Sequence, residues 1–289
     1  MVKFKPLSYH LRLSNKKLIA FSYNFKMKKI FILQFLLLLS VESFSGVVVL
    51  NGLTHVHSAE AGSQITGKVK IRKDYPKDNR IIIYKQDLIL SCDKMAVFEY
   101  ADINTNPKSM GNWLRYNVDE KILSPNEEFD LSYSINVPKD LDQKGSYWTV
   151  LMIEGADPIR EKESTSIEVG SKIRYAVQFI TELGSYESPK LQFENIEYKK
   201  LSNNTSNVLQ VKLKNIGQFT SQTKVLLEIY DSNGTRLNVF QGSVRRIYPN
   251  LCNIFELEVK NLPTGIYDGV IIADNGTDLF GSNVSIKIE

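Results

Sequence analysis

Apolar and polar residues alternate one by one along most of this chain, as in Thr66-Gly67-Lys68-Val69-Lys70-Ile71, Glu128-Phe129-Asp130-Leu131-Ser132-Tyr133-Ser134-Ile135 and Val208-Leu209-Gln210-Val211-Lys212-Leu213. Side chains of a strand point to opposite faces in turn, so each such segment has one apolar and one wet face, which suits antiparallel sheets packed in pairs. Turn formers punctuate the runs: Asp78-Asn79, Ser124-Pro125-Asn126, Asn233-Gly234, Tyr248-Pro249-Asn250, Leu262-Pro263-Thr264-Gly265 and Asn275-Gly276. Asn-Gly tolerates positive φ at both positions and is a strong hairpin signal. Beyond residue 45 no stretch keeps an i, i+3, i+4, i+7 apolar pattern for three turns. The expected fold is all-β, built as two tandem immunoglobulin-like β-sandwiches.

Ahead of the strands stand Lys28-Lys29, an apolar run over 30–39, and then Ser43-Phe44-Ser45-Gly46. A basic start, a greasy centre and small residues at the third and first positions before a cut make a secretory signal peptide. We assign it to 27–45, with cleavage after Ser45 and a periplasmic or extracellular product. Residues 1–26 are then an upstream-start extension, expected to be disordered. The rival reading is a cytoplasmic extension with 30–39 as an uncleaved anchor, but those ten residues are about half of what a bilayer span needs.

Removing 1–45 takes away 8 of the 36 Lys+Arg and 1 of the 32 Asp+Glu, leaving 28 basic and 31 acidic side chains, a balance of −3. The remaining chain has no general basic field for nucleic acid. Its 244 residues (289 minus 45) are enough for two domains of about 100–150 residues each. Cores of that size need no staples, and Cys92 and Cys252 lie 160 positions apart, so both are expected as free thiols. Neither a C-x-x-C nor a Cys/His metal spacing occurs.

The first sandwich is expected over 46–183, with strands at 47–50, 53–56, 64–72, 80–90, 112–116, 128–137, 146–154 and 172–182, and a long connection over 91–111. Gly184-Ser185-Tyr186-Glu187-Ser188-Pro189 reads as a linker. The second sandwich is expected over 190–289, with seven strands at 195–198, 208–215, 223–230, 237–244, 254–260, 265–274 and 278–288. Ending on Ile286-Lys287-Ile288-Glu289, the sequence suggests no membrane tail, and no integral span is expected in the mature chain.

Asn112-Trp113-Leu114, Leu123-Ser124-Pro125-Asn126-Glu127-Glu128, Val137-Pro138, the run from Gly145-Ser146-Tyr147-Trp148 through Glu154, and Lys172-Ile173-Arg174-Tyr175 follow one another in an order that resembles PapD-like periplasmic domains. The likeness covers about 47–183, the N-terminal immunoglobulin-like domain of pilus chaperones. Leu262-Pro263-Thr264-Gly265-Ile266-Tyr267 is similar to the closing hairpin of bacterial immunoglobulin-like modules. In the chaperones an arginine of the first strand and a lysine of the last strand hold a pilin's terminal carboxylate, while the last strand completes the pilin's sheet. Lys172 falls where that lysine is expected, but 47–56 holds no arginine and has His55 and His57 instead. Over 160–169 only Ile167 and Val169 are available as apolar donor residues. The resemblance therefore implies pairing through strand edges, with pilus or adhesin subunits among the implied partners. Exported two-domain proteins that interact with WxL proteins on Gram-positive surfaces also resemble this chain, in which no counterpart of their C-terminal membrane anchor is expected.

Residue chemistry adds few candidates. His55 and His57 share a strand face about 7 Å apart, but zinc needs three or four ligands and no third histidine follows residue 45, so no metal is expected. Lys172 and Arg174 also share a face and could grip a carboxylate or a phosphate in the cleft between domains; the plainer reading is an exposed pair with Ile173, Tyr175 and Val177 turned into the core. Trp113 and Trp148 suit core packing, or carbohydrate stacking beside Tyr116 or Tyr147. No serine stands in Gly-x-Ser-x-Gly, a triad could draw its base only from His55 or His57, and the Glu127-Glu128 and Glu161/Glu163 pairs flank turns or connections. Asn203, Asn204, Asn233, Asn275 and Asn283 stand in Asn-x-Ser/Thr triplets, two of them Asn-Gly turns. The expectation is an exported protein that binds other extracytoplasmic proteins, without catalysis or cofactor, with Lys172, Arg174, His55 and His57 as partner-binding candidates. A glycan-binding module and a hydrolase with a composite site are the alternatives.

Overall fold

The structure, a computed structural model, describes residues 46–74, 79–92, 96–100, 106–156, 173–200, 207–231 and 233–288. The expected signal peptide, the extension 1–26, the segment 160–169 and Lys172 lie outside the described residues.

The first sandwich contains β1 (Val47–Val49), β2 (Thr54–Ala59), β3 (Gln64–Lys73), β4 (Asn79–Ile89), β5 (Val97–Tyr100), β6 (Leu114–Tyr116), β7 (Glu120–Leu123), β8 (Glu128–Asn136), β9 (Gly145–Ala156) and β10 (Arg174–Leu183). One sheet runs β1-β3-β8-β6 and the other β2-β10-β9-β4-β5, with β7 also on β4. The chain changes sheets between β1 and β2, and β2 runs parallel to β10 while the neighbouring pair β10–β9 is antiparallel. Alternation explains the core: in β3, Val69 and Ile71 are fully buried while Lys68 and Lys70 face water, and Leu131 and Ile135 of β8 meet Leu151, Ile153, Val177 and Phe179 of the other sheet.

The second sandwich contains β11 (Leu191–Lys200), β12 (Asn207–Asn215), β13 (Ser221–Tyr230), β14 (Arg236–Gln241), β15 (Arg245–Ile247), β16 (Cys252–Val259), β17 (Gly265–Asp274) and β18 (Leu279–Ile288). Its sheets run β11-β12-β16 and β14-β13-β17-β18, with β15 on β13. Leu209, Val211, Val225, Leu227, Phe255, Leu257 and Ile271 fill the space between them.

Three strands were not expected from the sequence. β5 lies inside the stretch 91–111 expected as a plain connection and pairs with the end of β4, β7 pairs with the start of β4, and β15 makes an eighth strand of the second sandwich. Each has only three or four residues, too few for period two to stand out.

The cysteines are a clear correction. Cys92 and Cys252 are joined in a disulfide, with Cα atoms 4.7 Å apart, instead of being free thiols. Cys92 follows β4 of the first sandwich and Cys252 opens β16 of the second, so the bond ties one sandwich to the other. Separation along the chain says nothing of distance once two domains are apposed, and Gly46–Glu289 forms one compact unit. Polar contacts cross the same junction. The Ser146 N–H donates to the Gln218 carbonyl at 2.9 Å and the Thr220 N–H donates to Ser146 Oγ at 2.8 Å. Gly145, at φ +121°, has no room for a Cβ, because the Gln218 carbonyl occupies that place.

Candidate functional site

β9 is buried along almost its whole length, so its outward face is covered too. Leu151 and Ile153 point into the sandwich, while Trp148, Val150 and Met152 point the other way and form a small second core with Leu88 of β4, Ile180 of β10 and Tyr248 of the second sandwich. Tyr84, Ala176 and Leu251 pack around it. Trp148 Nε1 donates to the Leu88 carbonyl at 3.0 Å, the Trp148 and Tyr248 rings lie 4.7 Å apart, and Tyr248 Oη donates to Gln178 Oε1 at 2.8 Å. Burial pushes the Tyr248 phenol up to about 12. The unbroken apolar run Val150-Leu151-Met152-Ile153 was the available sign that this strand is enclosed on both faces.

Between the sandwiches, beside the disulfide, lies a cleft of about 270 Å³ with Leu88, Leu90, Leu251 and Tyr248 on its apolar side and Gln178, Arg245 and Arg246 on its polar side. Arg246 donates to Thr220 Oγ1 at 3.1 Å and stands near Glu182 of β10, whose carboxyl is pushed up by burial against the pull of that arginine. The cleft thus sets two guanidinium groups beside apolar surface.

Next to this face, β10 has a half-covered edge. β2 pairs with β10 over Gln178–Leu183, and the Gln178 N–H donates to the Leu53 carbonyl at 2.8 Å. Over Arg174, Tyr175, Ala176 and Val177, β9 is the one described strand that pairs with β10. The Ile173 carbonyl accepts from Gly155 on the β9 side, so by alternation the backbone N–H and C=O of Arg174 and Ala176 point to the open side, as those of Gln178 do. A row of backbone groups with no partner strand among the described residues is a template for strand addition.

Arg174 sits on this half-strand and is anchored: its guanidinium grips Glu154 Oε2 at 2.9 and 3.0 Å, and Tyr84 Oη donates to the same oxygen at 3.1 Å. Glu154 and Tyr84 were not anticipated, since nothing in the spacing of residues 84, 154 and 174 joins them. Tyr175 and Val177 turn inward as expected, with Tyr175 Oη donating to the Val47 carbonyl at 2.6 Å, whereas Ile173 is exposed and not in the core.

His55 and His57, partner-binding candidates from the sequence, do share a face, and it is the inner face of β2. The His55 ring stacks on Phe179 at 5.2 Å, and Nε2 of His57 shares a 3.1 Å hydrogen bond with Tyr133 Oη. Burial holds both imidazoles below their ordinary value, and at His57 the charge of His55 lowers it further. Gly67 lies across from Tyr133 in the β3–β8 register, and a Cβ there would collide with the Tyr133 ring. The structure thus brings His55 and His57 together and places Arg174 apart from them. Trp113 and Trp148 are each 5 % exposed, Trp113 against Tyr147 at 4.8 Å, so neither offers a face for sugar stacking. Among the described residues, no helix is long and apolar enough to cross a membrane.

No family model matches this chain, and no curated protein does. Among solved structures it is similar to the YadV chaperone, at 9 % identity and a TM-score of 0.46 over 84 % of this chain and 100 % of that one. It is also similar to the CsuC–CsuE chaperone–tip adhesion subunit pre-assembly complex from archaic chaperone-usher Csu pili of Acinetobacter baumannii, at 12 % identity and a TM-score of 0.45 over 85 % and 100 % of the two chains. The class 5 fimbriae chaperone CfaA is similar at 14 % identity and a TM-score of 0.44, over 84 % and 99 %.

Proposed function

We propose that this chain is an exported, non-catalytic protein-binding protein, a chaperone-like or assembly factor of the bacterial cell envelope, which lends the open half of β10 to the sheet of another extracytoplasmic protein. The observation that carries this reading is the combination of outward-pointing backbone groups at Arg174 and Ala176 with the apolar face of Met152, Ala176 and Tyr84 beside them. Backbone hydrogen bonds supply affinity in such pairing, and side chains on alternate positions supply selectivity. Pilus or adhesin subunits are the partner class implied by the resemblance of 47–183 to pilus chaperone domains. Lys172 and Arg174 stay candidates for orienting a partner's acidic groups, Arg174 through the face it shares with Glu154.

The test is Ala176→Pro, which removes the outward N–H at an edge position where proline is tolerated. Capture of envelope proteins by the tagged mature chain should fall at least about tenfold, with the circular dichroism spectrum unchanged. Equal capture by the variant would contradict the proposal.

A further inference from the structure

The sheet edges of this molecule are not equally protected. In the first sandwich β1, β6 and β5 have three or four residues and β2 has six. In the second, β14 has six residues and starts on Arg236. β11 is ten residues long but carries a register shift between Phe193 and Asn195 and the charges Glu194, Glu197 and Lys199. β16 carries Glu256 and Glu258. Short length, bulges and charge are the usual defences against edge-to-edge pairing. β18 has none of them: ten residues in unbroken register with β17, no proline, and Lys287 as its one charge. No described strand pairs with its other side.

We propose that β18 is a self-association edge, on which a second copy of this chain pairs antiparallel with Asn283 opposite Asn283. Twofold pairing must place outward side chains opposite outward side chains, so the axis passes through a residue facing itself; Asn283 is the choice that matches 279–287 of one copy with 287–279 of the other. The single charge does not meet itself in that register, since Lys287 lies opposite the second copy's Leu279. On β17, Ile266 is the neighbour of Lys287, so one row across the joined sheets reads Ile266, Lys287, then the second copy's Leu279. Ile266 and Leu279 are 73 % and 71 % exposed, more than any other large apolar side chain among the described residues, and the aliphatic stem of Lys287 would cover both. The second copy is favoured over a foreign strand because twofold pairing uses the long β18 edge of both chains at once and sets the single charge, Lys287, against the exposed Leu279 and not against itself.

An edge of this length makes a small interface, so self-association is to be sought by sedimentation over a range from about 1 to 500 µM. The wild-type mature chain should shift from monomer to dimer across that range. Asn283→Lys and Asn283→Glu each place like charges opposite one another and should each weaken the dimer at least about tenfold, while their equimolar mixture restores it as a heterodimer. Ala176→Pro should leave the dimer intact, which separates this edge from the one on β10. A chain that stays monomeric throughout, a dimer indifferent to Asn283→Lys, a mixture that stays monomeric, or a dimer lost in Ala176→Pro would each overturn the proposal.

Discussion

Gly67 shows how much one missing side chain can decide. Its empty space admits the Tyr133 ring, which reaches His57 between the sheets, so Gly67→Ala should displace Tyr133 and cost about 1–3 kcal/mol in urea unfolding. The two histidines make stability depend on pH in a definite direction. Their folded values lie below the ordinary value of about 6.5, so the unfolded chain binds protons more readily; their contribution is complete above that value and is lost as pH falls through the folded values. The unfolding midpoint should drop between about pH 7 and pH 5, and a His55→Phe, His57→Gln double variant should flatten that drop; an equally steep profile in the variant would assign it to other groups. That His55 and His57 share a face was readable from their spacing. Which face they share was not, because β2 has polar and apolar residues of similar weight on its two sides, with Val56 among the exposed ones.

At the scale of elements, period two made the long strands legible. β3, β8, β12 and β13 carry apolar side chains at every second residue and water-facing ones between. The pattern fails where a strand is very short, as in β5, β7 and β15, and where it is buried on both faces, as in β9. There the outward residues are as apolar as the inward ones, and only the structure shows that Tyr248 is what covers Trp148. Trp148→Ala should therefore cost about 3–5 kcal/mol, as for a core position, although the residue lies outside the sandwich interior. A loss under about 1 kcal/mol in chemical denaturation would mean that Tyr248 does not pack there. β10 divides in the same way, its second half paired with β2 and its first half paired, among the described strands, with β9 alone.

For the whole molecule, tandem sandwiches follow from alternation and turn spacing, whereas their covalent tie does not. Cys92 and Cys252 enclose 160 residues of separation, and on chain-entropy grounds such a closure contributes up to about 5 kcal/mol. Cys92→Ser with Cys252→Ser should lower the unfolding midpoint, and a reductant should lower that of the wild type alone. The tie also holds Tyr248 and Leu251 against the outward face of β9, beside the cleft that Gln178 of β10 lines. Hydrogen exchange on that half-strand, in the free chain and with a captured partner, tests the account most directly. The account predicts that the amides of Arg174 and Ala176 exchange fast in the free chain and become protected in the complex, while Gln178 is protected in both. Slow exchange at Ala176 in the free chain, or no gain in protection on capture, would contradict it.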